Sequence, residues 1–281
     1  MITEGLLRNG CSVYITSRKA EECERAAAEL STHGDCHAIP SDLSDDSDRA
    51  RFVARFREQE EQLDVLVNNA GAAWGAPIGD FPSSGFDKVM DVNVKAPFML
   101  TQELLPELRN AATQDDPARV IMIGSVDGIR VPFGDNYSYS ASKAGIHMLT
   151  RHLAHHLVKE RVNVNCIAPG PFESKMMSYM LDDPERRAGV VASTPLGRIG
   201  SPEDITGAVI FFASRAGSWL TGVTIPVDGG ISTHGQPRGG HHVGRQFARG
   251  LSKSGRSETS RSAPWPRLYN SPTRPQPDTS L

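Results

Sequence analysis

The chain has 281 residues, 38% hydrophobic and 22% charged, enough apolar material for a substantial core in one large domain or two small ones. Thirty Lys and Arg against thirty-three Asp and Glu leave a formal net charge of -3, which argues against general affinity for nucleic acid or anionic membrane. The charge is uneven: residues 233–281 carry eight basic and two acidic side chains, a net of +6, leaving 22 basic and 31 acidic, a net of -9, for residues 1–232. Cys11, Cys23, Cys36 and Cys166 form no CxxC pair, no basic-then-apolar leader opens the sequence, and no apolar run approaches bilayer length. A reduced, cytoplasmic protein with no transmembrane segment is expected.

Short β-branched runs alternate with longer amphipathic stretches across residues 1–232, the pattern of an α/β, doubly wound parallel sheet of the Rossmann-like kind. A strand at 12–16 precedes an Ala- and Glu-rich helix at 19–30 and a short strand at 36–40. Acidic residues Asp45, Asp46 and Asp48 open a helix over 47–62, which leads into a buried strand at 63–67. One long helical region is predicted over 86–111, a buried strand over 119–124 and another helix over 139–159. The strand 161–167 is stopped by Pro169 and Pro171, and 171–200 reads as irregular and Met-rich. Ser201-Pro202-Glu203-Asp204 is a strong start for a helix ending near Ser214, and a last strand, 222–227, is stopped by Asp228-Gly229-Gly230.

Beyond Ser232 the composition changes. Six Gly, six Pro, seven Ser and seven Arg outnumber five residues from Leu, Val and Phe, so residues 233–281 are expected to form a disordered basic tail.

The most informative feature is Tyr139-Ser140-Ala141-Ser142-Lys143, because residues four apart share one helix face and can serve one ligand. Ser125 stands just past a buried strand, where the carboxyl edge of a parallel sheet forms the ligand crevice. Asn68-Asn69-Ala70-Gly71 ends the preceding strand with small residues that let the backbone approach a ligand, and Asn93 follows in the next helical region. Tyr137 competes with Tyr139 but stands six residues before Lys143, off that face and ahead of the expected helix start. His152, His155 and His156 have spacing that places two ligands on one helix face, but no third partner is evident, so no metal is expected. Met176, Met177 and Met180 sit in the irregular segment 171–200, where flexible thioethers suit plain packing or an apolar ligand wall.

These pieces, in this order and with Pro169-Gly170 and Asp228-Gly229-Gly230, resemble the short-chain dehydrogenase/reductase family over residues 3–232. The stretch 124–132 and the following helix are similar to rhamnolipid-type 3-oxoacyl reductases. The resemblance implies Tyr139 as general acid/base, Lys143 as its electrostatic partner and ribose ligand, Ser125 as anchor of the substrate oxygen, and Asn93 as support for a water-linked proton path to Lys143. It places Asp42 and Leu43 at an adenine, Asn69, Ala70 and Gly71 along the dinucleotide, and Ile167, Pro169, Gly170 and Ser174 at the nicotinamide. Phe172 and Ser174 depart from the commoner small aliphatic and Thr of that loop. A phenol ordinarily titrates near pH ~10, so a neighbouring ammonium is what lets it exchange protons near neutrality.

An acidic residue at the end of the first strand would bind an adenosine ribose and repel a 2′-phosphate. The sequence there is Thr16-Ser17-Arg18-Lys19, with no carboxylate; Arg18 with Lys19 offers cationic donors, so NADP is favoured over NAD, with Ser17 and Arg18 as candidate contacts.

The family begins with a strand and a Gly-rich turn opening a helix whose N-terminus holds the pyrophosphate. Residues 1–10 resemble the last turns of that helix, so the domain is expected to be N-terminally truncated, with roughly 20–30 residues of strand, turn and helix absent between the strands at 12–16 and 63–67. No second Gly-rich loop replaces them; Gly239-Gly240 lacks a strand before it and a helix after it. The expected activity is NADP-dependent reduction of a small-molecule ketone, 3-oxoacyl or polyketide-like, to a secondary alcohol by a homo-oligomer built on the helices near 86–111 and 139–159. The alternative is a catalytically inactive subunit or binding partner.

Overall fold

Two parallel sheets flanked by helices make up the residues that the computed structural model describes, 1–132 and 134–233. In chain order the elements are α1 (Ile2–Arg8), β1 (Val13–Ile15), α2 (Ala20–Leu30), β2 (Cys36–Ala38), α3 (Asp46–Arg57), β3 (Val65–Asn68), α4 (Ser83–Met90), α5 (Ala96–Glu103) and α6 (Leu105–Ala111). They continue as β4 (Ala118–Ile123), α7 (Tyr137–Leu157), β5 (Val162–Pro169), α8 (Ser178–Leu181), α9 (Pro184–Ser193), α10 (Pro202–Ala213) and β6 (Thr224–Val227). The expected tail, apart from Thr233, lies outside the described residues.

The larger sheet has the order β3-β4-β5-β6. Its central strands β4 and β5 are buried almost throughout, which is why they read as continuous apolar runs. Alternation still sorts their side chains. Val120, Met122, Val164 and Cys166 pack with Leu100, Leu104, Ile146 and Leu157 on one face; Ile121 and Ile167 pack with Leu6, Ile205, Val209 and Phe212 on the other. Pro226 sits in β6, an edge strand paired only with β5, where its missing N–H costs no ladder bond.

β1 and β2 form a separate pair, and among the described residues no strand joins β1 to β3. The split lies between β1 and β3. Helix α1 spans it: Leu6 joins the cluster with Ile121 and Phe212, while Leu7 packs with Ala27 and Cys36 beside β1 and β2. Its Gly5 crosses α10 so closely that a Cβ there would stand under 3.0 Å from Thr206 Cγ2.

Three expectations need correction. The helical region 86–111 is three helices: a π-helical turn, Asp91–Lys95, separates α4 from α5, and Leu104 bends the chain before Pro106, which lacks an amide hydrogen. The stretch 171–200 is not wholly irregular, because Asp183 caps α9 through its carboxylate to the Arg186 amide, 2.8 Å. Helix α7 starts at Tyr137, two residues earlier than expected.

Candidate active site

Parallel pairing puts the strand ends on one edge. Asn68 lies opposite Met122 and Ile123 opposite Ile167, so Asn69, Ala70 and Gly71, then Ser125, then Pro169 and Gly170 all emerge from the carboxyl edge of the larger sheet. The Pro169-Gly170 and Asp228-Gly229-Gly230 motifs meet there: the Gly170 amide donates to the Val227 carbonyl at 2.9 Å, and a Cβ on Gly170 would stand 2.8 Å from Asp228 Cα. Gly229 and Gly230 take φ of 62° and 91°, and the Asp228 carboxylate accepts the Gly230 and Ser232 amides, 2.9 and 2.6 Å.

Helix α7 delivers Tyr139 and Lys143 to this edge. Lys143 is buried and its Nζ donates to the Ile123 carbonyl at 2.8 Å, anchoring it to the end of β4. The same ammonium stands 5.6 Å from the centre of the half-buried Tyr139 ring. Burial lowers Lys143 from 10.5 to about 8, so it remains mainly charged at neutral pH. A Cβ on Gly71 would lie 3.9 Å from Lys143 Nζ and 3.8 Å from Asn93 Oδ1, which brings the end of β3 to the same place.

Asn93 is the scaffold of that junction. Its Oδ1 accepts the Ala72 amide at 2.8 Å, while its Nδ2 donates to the Ala72 carbonyl and to Ser142 Oγ, both at 2.9 Å. Ser142 in turn donates to the Tyr139 carbonyl at 2.7 Å, so the π-helical turn is tied to the loop after β3 and to α7. Ser125 is buried and its Oγ accepts the Asp127 amide at 3.1 Å, opening a short 3-10 turn, Val126–Gly128. Tyr137 is engaged elsewhere: its hydroxyl donates to Asp135 at 3.0 Å and its ring packs edge-on against Phe81, 5.8 Å away.

A second cluster forms at the ends of β1 and β2. The Ser41 amide donates to the Ser17 carbonyl at 3.0 Å, which sets Arg18 beside Asp42, with 4.0 Å between Nη1 and Oδ2. The turn carrying Asp42 and Leu43 is fixed by α3: Asp48 accepts the Asp42 amide at 2.9 Å, and buried Arg49 donates to the Leu43 carbonyl at 3.3 Å. Next to Ser17, a cavity of about 290 Å³ is lined by Thr16, Glu22, Cys23 and Lys175 among others. Thr16 Oγ1 there is buried without a hydrogen-bond partner, and Lys175 reaches Glu22 at 3.2 Å. Ser174 thus lies near α2, where its Oγ accepts the Met177 amide at 3.3 Å; nothing places it with Tyr139.

Sequence reasoning missed His147 and Cys166. Both are buried beside Lys143, and burial pushes the Cys166 thiol up to about 11 and His147 below its usual value. The four-residue spacing from Lys143 was the available signal for His147. The rings of His152, His155 and His156 pack on one another at 5.0 and 5.2 Å. No helix among the described residues is long and apolar enough to cross a membrane.

A family profile described as enoyl-(acyl carrier protein) reductase matches residues 1–232. The rhamnolipids biosynthesis 3-oxoacyl-acyl-carrier-protein reductase of Pseudomonas aeruginosa is 47% identical over 231 residues, 82% of this chain and 90% of the relative. Dehydrogenase/reductase SDR family member 4 of Bos taurus is 32% identical over 240 residues, 83% of this chain and 82% of the relative. Among solved structures, the Pseudomonas aeruginosa RhlG/NADP active-site complex aligns with a TM-score of 0.80 at 46% identity, covering 82% of this chain and 90% of that one. A gluconate 5-dehydrogenase from Burkholderia cenocepacia, in complex with NADP and tartrate, aligns with a TM-score of 0.76 at 26% identity, over 83% and 90% of the two chains. By these likenesses and by the arrangement of its strand ends, the chain belongs to the short-chain dehydrogenase/reductase family of oxidoreductases.

Proposed function

We propose that this chain is an NADP(H)-dependent carbonyl reductase acting on a 3-oxoacyl or related ketone. The observation that carries the reading is the convergence of Tyr139, Lys143, Asn93 and Gly71 at the carboxyl edge, with the ammonium 5.6 Å from the phenol ring. Resemblance to the Pseudomonas 3-oxoacyl reductase supports the substrate class.

The residues present fit a 2′-phosphorylated dinucleotide at its two ends. Unpartnered Thr16 Oγ1, Ser17 and cationic Arg18 suit the phosphorylated ribose, with Asp42 and Leu43 at the adenine. Asn69, Ala70, Gly71 and Lys143 suit the nicotinamide ribose, and Ile167, Pro169 and Gly170 the nicotinamide, whereas Ser174 lies near α2 and is left out of this assignment. Among the described residues no glycine-rich turn cradles the pyrophosphate between them. When bound, NADPH supplies the hydride that reduces the carbonyl carbon.

The protein's own part is proton transfer and orientation. Tyr139 donates its phenolic proton to the carbonyl oxygen while the Ser125 hydroxyl hydrogen-bonds that oxygen. The Lys143 ammonium stabilises the resulting phenolate, and its attachment to the Ile123 carbonyl keeps it from drifting toward water. Asn93 fixes the Ala72 loop and the π-helical turn around the path by which a proton returns through Lys143. A cytoplasmic homo-oligomer completes the proposal; exposed Phe98 on α5 and Met148 on α7 support an interface on those helices.

Titration of the full chain with NADPH should quench its fluorescence and raise its melting temperature. Tyr139→Phe should abolish turnover, by about a hundredfold or more, while leaving NADPH affinity unchanged. Unchanged turnover in that variant would refute the acid/base role. A second reading, a non-catalytic subunit, is favoured by the split between β1 and β3; absence of any NADPH binding would select it.

A further inference from the structure

The turn that carries Ser125 is built around an imidazole. His147 lies on α7 one turn after Lys143 and is 5% exposed. Its Nε2 has no hydrogen-bond partner, unusual for a buried polar atom. Two glycines face the ring from the turn. A Cβ on Gly124 would stand under 3.0 Å from His147 Nε2 and Cδ2 and from Cys166 Sγ. One on Gly128 would stand 2.8 Å from His147 Cε1 and 2.6 Å from the carbonyl carbon of Lys143. At Gly124 the ring and Cys166 Sγ exclude a side chain, and at Gly128 the α7 backbone at Lys143 and Ala144 excludes one together with the ring.

The arrangement repeats along one face of α7. Lys143 holds the Ile123 carbonyl at 2.8 Å, and one helical turn later His147 presses on Gly124, the next residue along. Two consecutive residues are therefore gripped immediately before Ser125, and Gly128 is gripped as the last residue of the 3-10 turn that Ser125 caps. The ring is tied to the turn by a backbone hydrogen bond at Gly128 as well as by its shape, and only its Nε2 is left without a partner.

We propose that His147 is a positioning residue for carbonyl reduction, a buried wedge against Gly124 and Gly128 that sets where the Ser125 hydroxyl stands relative to Tyr139 and Lys143. The inference rests on the reductase reading of this site and adds a specific residue to it. Loosening the wedge leaves the dinucleotide contacts of Lys143, Arg18 and Asp42 in place but lets the Ser125 turn wander. The loss falls on the chemical step, where a displacement of about 1 Å costs up to about a hundredfold.

Reciprocal size changes test it in the full chain. His147→Ala and Gly124→Ala should each lower kcat for a 3-oxoacyl thioester by about tenfold or more, with the NADPH dissociation constant held within about twofold. In the double variant the new methyl is relieved of the ring and is left against Cys166 Sγ alone, so kcat should rise above that of either single variant. His147→Asn, which keeps part of the ring volume, should fall between wild type and alanine and serves where the alanine variant fails to fold. Amide hydrogen exchange across residues 124–128 should quicken by about tenfold in His147→Ala and slow again in the double variant. Wild-type kcat and exchange in His147→Ala, or a double variant no better than the better single one, would overturn the proposal. Should the wild-type chain show no turnover, the reductase reading fails, and the exchange measurement alone decides whether the ring holds the turn.

Discussion

Replacing Lys143 with methionine isolates the cost of keeping an ammonium inside this fold. Burial lowers Lys143 from 10.5 to about 8, and a tenfold change in proton affinity is worth about 1.4 kcal/mol, so the gap corresponds to roughly 3 kcal/mol. The sign follows from proton counting. Between pH 8 and 10.5 the unfolded chain holds this proton while the folded chain has released it, so stability from this group rises with pH across that window. Below pH about 8 both states are protonated and the whole penalty is present. The Lys143→Met variant has no proton to release and escapes the penalty, but it leaves the Ile123 carbonyl without its donor at 2.8 Å, a loss of about 1–3 kcal/mol that does not change with pH. The two effects nearly cancel near neutrality, so the informative quantity is their pH dependence. Urea unfolding of both proteins at about pH 7 and about pH 10 should show the wild type gaining roughly 2–3 kcal/mol relative to the variant. Other lysines and tyrosines titrate in both chains and cancel. A difference constant to within about 0.5 kcal/mol would show that Lys143 is well hydrated in solution and would refute the burial argument.

Asn93→Ala removes three hydrogen bonds, to the Ala72 amide, the Ala72 carbonyl and Ser142, and should cost about 2–4 kcal/mol in urea unfolding; a loss under about 0.5 kcal/mol would mean the π-helical turn holds itself. Gly5→Ala drives a methyl into Thr206 where α1 crosses α10 and should destabilise by about 1–3 kcal/mol, most of it recovered by adding Thr206→Ala; equal melting temperatures in all three proteins would place α1 elsewhere. Asp204→Asn weakens the capping box of α10, where the carboxylate accepts the Ser201 amide at 2.7 Å and pairs with Arg198, and should cost about 0.5–2 kcal/mol at neutral pH. Because Arg198 holds the Asp204 carboxyl well below the usual carboxylate range, that contribution is present above pH about 4 and fades as pH falls below it; a gap between the two proteins that persists into strong acid would contradict the assignment.

What could be read in advance follows from which interactions leave a local trace. Strands β4 and β5 announce themselves because both faces are covered, so nearly every position is apolar, and a parallel sheet then forces their carboxyl ends to one edge; Ser125 and Gly170 are located by that logic alone. Helix α9 fails the same test because none of its residues is buried, which leaves no apolar stripe to reveal its period. Its Asp183-Pro184-Glu185 start was the remaining trace. The break between α4 and α5 has a different origin. The π-helical turn at Asn93 is bonded to Ala72, 21 residues away, and to Ser142, 49 residues away, so no window of sequence around Asn93 contains its cause. His147 makes the same point inside the site. Its distance from Lys143 along α7 shows which face it shares, but the two glycines that shape themselves to its ring arrive from the turn after β4, and only the folded chain brings them together. Residues that react are thus easier to recognise than residues that hold them, since the first belong to short motifs and the second are selected by neighbours far along the chain.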